Sequence, residues 1–446
     1  MSASEGSGQA ASRASAKGRG GDVVQALLGW PGGPQLLALA GERQDITLVG
    51  GAVRDLLRGC APRELDVVVA HDAASVAGEL AERLGASTLV HERFGTAVVE
   101  WEAGRIDIAA RRAETYAAPG ALPNVRPGSA DEDLRRRDFT VNAIAVPLAG
   151  PHAGEPAGAE HALEDLDARR LRVLHERSFV EDPTRLLRLA RYSARLGFEV
   201  EPHTAELARA AVAEHALATV SRARVGAELR LALSEADAPA ALQKIDELGV
   251  LAALDPRLRF DAPLARAALD VLSATDAGVF GEARSEVLLL AVLLASMTLG
   301  LGADDHGEAD MRALLDGLEF PAAERDAAVA AATGARELAA ALAAADARSQ
   351  VYEAASRASP EGVALAGALG EQRLHLDGAG VAARAWLNDV RHVRLQIAGE
   401  DLLAAGIPEG PEIGVRLHAA LLGKLDRQLD GSGGDADLNA ALQARL

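Results

Sequence analysis

A glycine pair, an arginine and two acids lie close together near the start of this chain, and their spacing suits phosphate and metal chemistry. Gly50-Gly51 follows an apolar segment and precedes Arg54, while Glu64 and Asp66 open a second apolar segment. On a strand, residues i and i+2 face the same way, so the two carboxylates would repel each other unless a cation lay between them. Glycine permits close backbone approach, and a nearby arginine attracts anions. The stretch predicts a metal-and-triphosphate site, although each piece alone is also typical of an ordinary strand–helix junction.

Asp107 offers a third carboxylate on a predicted strand, Arg105 to Ala109, in which apolar and polar residues alternate. If this strand neighbours the strand of Asp66, the three acids form a cluster that suits two hard cations, and Mg²⁺ prefers such oxygen ligands. In nucleotidyl transfer one ion would activate an attacking 3′-hydroxyl, and the other would stabilise the pyrophosphate leaving group. The competing interpretation of Asp107 is a solvated strand position.

The surrounding segments predict a small mixed α/β domain in the order β-α-β-α-β-β-β. Its predicted elements are a strand over 46–49, a helix over 52–57, a strand from Glu64, a helix over 73–84, and strands over 88–91, 96–101 and 105–109. Prolines and glycines predict an irregular loop from Ala113 to Ser129. A helix is then expected from Asp131 through Ala143, because acids in its first turn suit the helix dipole.

Beyond a Pro- and Gly-rich boundary at 151–158, the pattern is helical. Asp182-Pro183 predicts an N-cap followed by proline at the first helical position, with the helix running from Thr184 to Leu196. The apolar run Val287 to Met297 predicts a buried helix, since it is too short to cross a bilayer. Further helices reach about Leu429, with breaks at Asp255-Pro256, Phe320-Pro321, Ser359-Pro360 and Ile407-Pro408.

Two arginine clusters accompany these elements. The segment Arg135-Arg136-Arg137-Asp138 is either a solvated helix face or a contact for triphosphate and ribose, with Asp138 orienting the arginines and Asn142 adding a sugar hydrogen bond. Farther on, Arg185, Arg188 and Arg191 recur at helical spacing and form roughly one stripe.

Asp182 and Arg185 have a second interpretation beyond helix capping. A carboxylate and a guanidinium held at a fixed separation can pair with the Watson–Crick edge of a base. The carboxylate accepts from an exocyclic amine and the guanidinium donates to a ring nitrogen or carbonyl, an order that cytosine and adenine offer.

Composition restricts the class of protein. The 446 residues suffice for two or more domains, and a net charge of −19 argues against a general polyanion binder, DNA included, while leaving room for a local basic groove. The single cysteine, Cys60, excludes a disulfide framework and favours a reducing cytoplasm. No membrane partner is expected, residues 1–21 predict a disordered extension, and Asp304-Asp305-His306 is a weak metal candidate.

Three motifs together agree in order and spacing with one family. Gly50-Gly51-Ala52-Val53-Arg54-Asp55 with Glu64-x-Asp66, then the run RRDFTVNA over 136–143, then Glu181-Asp182-x-x-Arg185 resemble the class II tRNA nucleotidyltransferase/poly(A) polymerase family. The resemblance covers about residues 45–230 and returns weakly at 399–414 and 425–426.

The resemblance implies an α+β fold, in which a DNA polymerase β-like nucleotidyltransferase head precedes an all-helical neck, body and tail. The expected domains are a catalytic head over 22–150, a neck for base selection over 151–230, and a body and tail over 231–446 that bind tRNA. The implied activity is template-independent addition of CCA, or part of it, to the tRNA 3′ end from CTP and ATP, with Mg²⁺ as cofactor.

Site roles follow by position from the same resemblance. Glu64 and Asp66 would bind the metals, and Asp107 would be the third catalytic acid. The nucleotide would be bound by Gly51, Arg54, Arg137, Asp182, Arg185, Arg188 and Arg191, among which Arg137 would hold the triphosphate and the Asp182–Arg185 pair would read the base.

One departure from the family bears on activity. The usual first metal ligand is aspartate, and Glu64 stands there instead, which moves the carboxylate by roughly 1.5 Å. This departure leaves open a catalytically impaired RNA-binding homologue. A poly(A) polymerase of the same family is a second alternative, which the acidic net charge and the tail segment disfavour. No convincing His-Asp phosphohydrolase motif occurs, so an additional phosphatase activity is not expected.

Overall fold

The structure, a computed structural model, describes residues 23–91, 95–273, 284–299, 307–426 and 433–444. The predicted extension over 1–21 and the Asp304-Asp305-His306 cluster lie outside these residues. The chain divides into two compact units, residues 1–221 and 222–446. The first is built on a mixed sheet and the second is helical, so the expected α+β class is confirmed.

The first unit is organised by a seven-stranded sheet with the order β3-β4-β5-β2-β1-β8-β9. Strands β2 and β5 pair in parallel, and the other neighbours pair antiparallel. The apolar side chains of Leu48, Leu65 and Ile106 are fully buried in its core. The strands are β1 (Thr47–Val49), β2 (Leu65–Val69), β3 (Ser87–His91), β4 (Thr96–Trp101), β5 (Gly104–Ala110), β6 (Arg112–Thr115), β7 (Asn124–Pro127), β8 (Ile144–Pro147), β9 (Ala157–Gly158), β10 (Arg170–Leu171) and β11 (Glu199–Val200).

Helices follow the strands in the predicted β-α-β-α-β-β-β order. The helix over 73–84 ends at Gly85 as predicted, because Gly85 adopts the left-handed conformation that glycine favours. The helices of this unit are α1 (23–28), α2 (Gly33–Arg43), α3 (Gly50–Leu57), α4 (Ala73–Leu84), α5 (Ala130–Arg135), α6 (Ala162–Asp167), α7 (Ser178–Glu181), α8 (Arg185–Leu196) and α9 (Pro202–Ala213).

The loop predicted from Ala113 to Ser129 is wrong in part, because β6 and β7 form a two-stranded antiparallel sheet there. The register joins Arg112 to Pro127 and Thr115 to Asn124. Proline is compatible with this pairing because Pro127 lies at the end of an edge strand, where its missing N–H is tolerated. Pro119, Gly120 and Pro123 lie in the connection between the two strands, whereas Pro127 ends β7 and Gly128 follows it.

The predicted helix from Asp131 through Ala143 is also too long, since α5 ends at Arg135. The Asp138 carboxylate accepts a hydrogen bond of 2.8 Å from the Phe139 amide, and Phe139 is extended. An aspartate that bonds the neighbouring backbone offers it an alternative to the helix. The chain therefore leaves the helix and resumes only as a short 3₁₀ turn at Thr140–Asn142.

The second unit contains the helices predicted for it, with ends at each of the four proline positions. Its apolar helix α14 is buried over Val287 to Ala295. The helices are α10 (Arg222–Leu233), α11 (Ala238–Glu247), α12 (Val250–Leu254), α13 (Ala262–Ser273), α14 (Ser285–Leu299), α15 (Gly307–Gly317), α16 (Ala322–Ala343), α17 (Arg348–Ala355), α18 (Pro360–Leu369), α19 (Ala379–Asn388), α20 (Gly399–Ala404), α21 (Pro411–Asp426) and α22 (Gly434–Gln443). Helix α22, which the sequence pattern did not predict, packs with α20 and α21 around Leu402, Ala420 and Ala441. Within the described residues, the helices lack the combination of length and apolar character that a bilayer crossing requires.

Candidate active site

Three carboxylates meet at one face of the main sheet. The parallel pairing of β2 with β5 sets Asp66 directly opposite Asp107, so both side chains leave the sheet on the same side. Glu64, which the sequence pattern placed at the strand start, comes one residue before β2 begins. Oxygen atoms of the three acids lie within 4.8 Å of one another.

The electrostatics of this cluster favour a cation. Burial, together with the negative charges of Glu64 and Asp107, raises the pKa of the Asp66 carboxyl to about 6, although Arg137 and Arg105 act against the rise. Arg105 donates to Asp107 at 2.9 Å and lies 3.9 Å from Glu64. An all-oxygen donor set with mutual repulsion matches the ligands of a hard divalent ion.

Gly50 connects this cluster to an arginine. It has a φ of +73°, and a Cβ placed there would lie 2.8 Å from Nη1 of Arg137 and 3.5 Å from Oδ2 of Asp66. Gly50 also begins α3, for which the preceding Val49 supplies no side-chain cap. The amide end of a helix carries partial positive charge, so an anion is favoured beside these residues.

Asp133 positions two of the three clustered arginines. It accepts from Arg136 at 2.8 Å and from Arg137 at 3.1 Å. Glu114 on β6 accepts from Arg136 at 3.2 Å and from Arg112 at 2.9 Å. The prediction that Asp138 orients this cluster is therefore wrong, because the acid that holds it comes from the first turns of α5.

Asp138 instead holds an arginine of α8. Its Oδ2 accepts from Nη2 of Arg188 at 2.7 Å, and its Oδ1 accepts from the Asn142 amide at 2.9 Å. Burial opposes ionisation, but Arg188 and Asn142 outweigh it and lower the pKa of Asp138 to about 2. Asn142 also accepts from Arg54 at 2.5 Å, and Arg54 is only 2% exposed. The Arg54 and Asn142 side chains bond to each other and to neighbouring aspartates. Their contacts with a nucleotide therefore stay predictions.

Arg185 is buried and held by two oxygen atoms. Its Nη1 donates to the Ser178 hydroxyl at 2.6 Å, and its Nη2 donates to the Arg136 carbonyl at 2.8 Å. Asp182 is not the N-cap of α8, which begins at Arg185 after Thr184. Its carboxylate accepts from the Thr184 amide at 3.1 Å, and its backbone ends the short helix α7.

Residues 46–172 match the family model described as the poly A polymerase head domain, a span that includes the acid cluster, Gly50 and Arg137. This span resembles the class II tRNA nucleotidyltransferase/poly(A) polymerase family. The similarity extends through most of the chain at the level of fold. The structure of the Thermotoga maritima CCA-adding enzyme complexed with tRNA-CCA aligns with a TM-score of 0.70 and 26% identity, covering 91% of this chain and 93% of that one.

Curated tRNA nucleotidyltransferases are similar over about half of the chain. The A-adding tRNA nucleotidyltransferase of Halalkalibacterium halodurans is 41% identical over 228 residues, covering 49% of this chain and 53% of that protein. The CC-adding tRNA nucleotidyltransferase of Deinococcus radiodurans is 39% identical over 211 residues, covering 47% and 55%. The chain thus spans about half the length of these relatives, and the poly(A) polymerase alternative is not favoured by their names.

The sequence pattern did not single out two tyrosines that contact residues of this site, Tyr116 and Tyr192. The Tyr192 ring lies 5.0 to 5.5 Å from the guanidinium carbons of Arg54, Arg188 and Arg191, distances that permit cation–π attraction. Tyr116 donates to Glu114 at 3.1 Å, and burial raises its pKa to about 12. Tyr192 was detectable from its helical spacing, one turn after Arg188 on α8. Tyr116 lies just after β6, in the stretch predicted as a loop.

Proposed function

We propose that this chain transfers nucleotides from CTP and ATP to the 3′ end of tRNA, building CCA or part of it. The observation that carries the proposal is the three-carboxylate cluster across β2 and β5, with Gly50 and Arg137 beside it. The names of the A-adding and CC-adding relatives support the substrate class. The relative complexed with tRNA supports tRNA as the partner.

The proposed reaction is an in-line exchange at phosphorus. The 3′-hydroxyl oxygen of tRNA forms a bond to the α-phosphorus of the nucleotide and loses its proton, while the bond to the β-phosphate oxygen breaks and pyrophosphate leaves. Glu64 and Asp66 would hold the divalent metal, proposed to be Mg²⁺, with Asp107 as the third acid. When bound, the metal lowers the pKa of the attacking hydroxyl and offsets charge on the triphosphate.

The chain's own cations would bind and orient the triphosphate. Arg137 lies at Gly50, and Asp133 fixes its guanidinium, so its side chain needs little ordering when an anion binds. The uncapped amide end of α3, including Gly51, would add backbone donors. Arg54 donates two hydrogen bonds of 2.9 Å to the Asp55 carboxylate and would hold this segment in place.

Base selection would belong to α8 and the residues before it. Asp182 would accept from the exocyclic amine of CTP or ATP and Arg185 would donate to the adjacent ring acceptor, while Arg188 and Arg191 line the same pocket. Ser178 and the Arg136 carbonyl hold Arg185 in one orientation, which suits a reader of base edges. The head over 22–150, the neck over 151–230 and the body and tail over 231–446 would then divide chemistry, base selection and tRNA binding, in the cytoplasm.

A panel of four RNAs tests the activity. Purified chain with Mg²⁺ receives tRNA lacking CCA, tRNA ending in C, tRNA ending in CC, or an unrelated RNA, with CTP, ATP or both. Incorporation restricted to the tRNAs supports the proposal, and the accepted 3′ end assigns CC addition, A addition or all three steps. Long A-tails on the unrelated RNA would instead identify a poly(A) polymerase, and tRNA binding without incorporation an impaired homologue.

Arg185→Ala tests the base-selection step. We expect the variant to lose its preference for CTP and ATP over UTP and GTP by about tenfold or more, since a bidentate base contact contributes about 1–3 kcal/mol. Relative incorporation of the four nucleotides measures this. Arg195→Ala, the same change near the other end of α8, should keep the preference. Undiminished discrimination by the Arg185 variant would refute the assignment.

A further inference from the structure

A cavity of about 570 Å³ lies within the second unit, and none of the individual site residues named above lines it. Its walls come from α11, α13, α14, α16 and a π-helical turn at Gly370–Leu374 that continues α18. The volume falls within the range of about 300–1,000 Å³ that small-molecule sites occupy. Wide turns of the π type recur at functional sites.

The charge lining this cavity is net positive, in contrast to the chain as a whole. Arg259, Arg336 and Arg373 line it, with Asp261 as the only acid among its lining residues. Asp261 is already engaged, because one oxygen accepts from the Leu264 amide at 3.0 Å and the other from Nε of Arg373 at 2.6 Å. The remaining two guanidiniums are not balanced by a carboxylate of the lining.

Arg259 and Arg336 are the two available cations. Arg259 donates from Nη1 to the Leu258 carbonyl at 2.6 Å and the Pro256 carbonyl at 3.2 Å, so neutral acceptors hold it in place without cancelling its charge. The Arg336 side chain on α16 forms no ion pair or hydrogen bond within the part of the chain that the structure describes. Guanidinium groups form their strongest hydrogen bonds with phosphates and carboxylates, often through two parallel bonds.

The rest of the lining is apolar, with two polar side chains. Phe260, Leu264 and Val292 are buried residues of this apolar wall. Gln243 and Ser296 also line the cavity, and the Ser296 hydroxyl accepts from the Arg259 amide at 3.0 Å. An apolar wall beside two cations is complementary to a molecule that carries both a flat ring and an anionic group.

We infer that this cavity binds a nucleotide unit, with its phosphate between Arg259 and Arg336 and its base against the wall of Phe260, Leu264 and Val292. The volume of the cavity suits a small molecule, the two guanidiniums without a carboxylate partner in the lining suit a phosphate, and the apolar wall suits a base. The nucleotide comes either from a free mononucleotide or from one residue of a bound RNA, and the RNA source rests on the proposed function. Either would be a second nucleotide site, separate from the carboxylate cluster of the first unit.

Titration calorimetry on the full chain tests the inference with AMP and CMP as probes. EDTA is present so that metal-dependent binding in the first unit does not contribute, and inorganic phosphate serves as a smaller probe. We expect AMP or CMP to bind, Arg336→Gln to weaken the affinity about tenfold or more, and phosphate alone to bind more weakly. Arg325→Gln makes the same change on α16 outside the cavity and should leave the affinity unchanged.

A parallel arm distinguishes the two sources. Fluorescence anisotropy with tRNA and with a short single-stranded RNA is measured on the same variants. A loss of RNA affinity in Arg336→Gln without mononucleotide binding assigns the site to RNA, whereas mononucleotide binding with unchanged RNA affinity assigns it to a free ligand. Leu374→Trp fills the cavity without changing charge and should reproduce the loss, with thermal unfolding as the check on folding.

The inference is overturned if neither probe responds to Arg336→Gln and Leu374→Trp in folded protein. It is also overturned if mononucleotide binding disappears in Asp66→Asn but persists in the cavity variants, since the signal would then come from the first unit. A failure of the proposed activity gives a different pattern. In that case tRNA receives no nucleotide, while mononucleotide binding to the cavity is still measurable.

Discussion

At the scale of single residues, Glu64 departs from the pattern of the family that the chain resembles. Glutamate and aspartate present the same oxygens at different distances from the backbone, and Mg²⁺ demands near-ideal octahedral geometry at short distances. Glu64 is exposed and lies just before β2. Its backbone is therefore not paired with β5, because that pairing begins at Leu65. Because this part of the backbone can adjust, it can offset the greater length of the glutamate side chain. We therefore expect the chain to be active with Glu64.

Glu64→Asp should therefore raise turnover with Mg²⁺ severalfold and reduce any advantage of Mn²⁺, because the shorter side chain restores the family's usual ligand. Initial rates of nucleotide incorporation over a range of each metal measure this change. Glu64→Gln keeps the length and removes the charge, so it should lower activity at least tenfold. Equal rates for all three proteins would show that Glu64 is not a ligand.

Asp66 gives the site a pH dependence that a bound cation changes. Its pKa is raised from the ordinary carboxyl range to about 6, so protonated Asp66 favours the folded state. That contribution is complete below about pH 4 and is lost as the pH rises through 6. A divalent cation binds the ionised cluster and stabilises the fold by mass action, so its effect grows over the same pH range.

The increase in melting temperature on adding Mg²⁺ or Mn²⁺ should consequently be several times larger at pH 8 than at pH 5. Thermal unfolding with and without each ion, in EDTA-treated protein, measures it. Asp66→Asn removes the titrating group, so this variant should show a small increase at both pH values. An ion effect independent of pH in the unsubstituted chain would exclude Asp66 as a ligand.

At the scale of elements, the site depends on the turn from β1 into α3. Gly50 combines a left-handed φ with a position where an added Cβ would meet Arg137. Backbone strain and displacement of a binding side chain are separate costs. Gly59, at the other end of the same segment, has nearly the same φ of +72° but open space around its Cβ position.

The pair Gly50→Ala and Gly59→Ala separates those costs. Both substitutions should lower the free energy of unfolding by about 1–2 kcal/mol, the cost of a left-handed residue with a Cβ. Only Gly50→Ala should also lower incorporation, by at least tenfold, because Arg137 must move. Chemical denaturation and steady-state kinetics on the two variants measure this. Similar activities in both would mean that Arg137 does not bind substrate through this geometry.

Local patterns predicted some of these elements well and others poorly, and the reason is the range of the interactions involved. The spacing of Asp66 and the alternation around Asp107 are local, so their shared face could be predicted once the strands were assumed to be neighbours. The pairing of β6 with β7 joins segments separated by a long connection, and turn residues concealed it. The positions of Glu114 and Tyr116 depend on that pairing and were missed with it.

The arginine contacts show the same limit. Sequence proximity suggested that Asp138 holds Arg135–Arg137, but the partner of Asp138 is Arg188, fifty positions away. Likewise, the Arg136 carbonyl holds Arg185 through a tertiary contact that no periodicity indicates. Residue types indicated the chemistry of the site, whereas the choice of partner among several equivalent charges required the fold.

At the scale of the whole molecule, an acidic protein is proposed to act on an anionic substrate. The chain carries 46 Lys and Arg against 65 Asp and Glu. Non-specific affinity for nucleic acid arises from neutralising phosphates, and a surface with excess negative charge opposes it. Affinity for RNA must then come from local surfaces that match one shape, which suits a folded RNA better than an arbitrary strand.

The chain should therefore bind tRNA at least tenfold more tightly than an unstructured RNA of equal length at physiological salt. The physical reason is that an arbitrary strand meets the acidic surface without the compensating shape contacts. Anisotropy titrations at two salt concentrations measure both affinities, and refolded tRNA whose acceptor arm is disrupted serves as a control of unchanged charge. Equal affinity for the three RNAs would place recognition in phosphate contacts alone and would restore the case for a polymerase that extends any RNA.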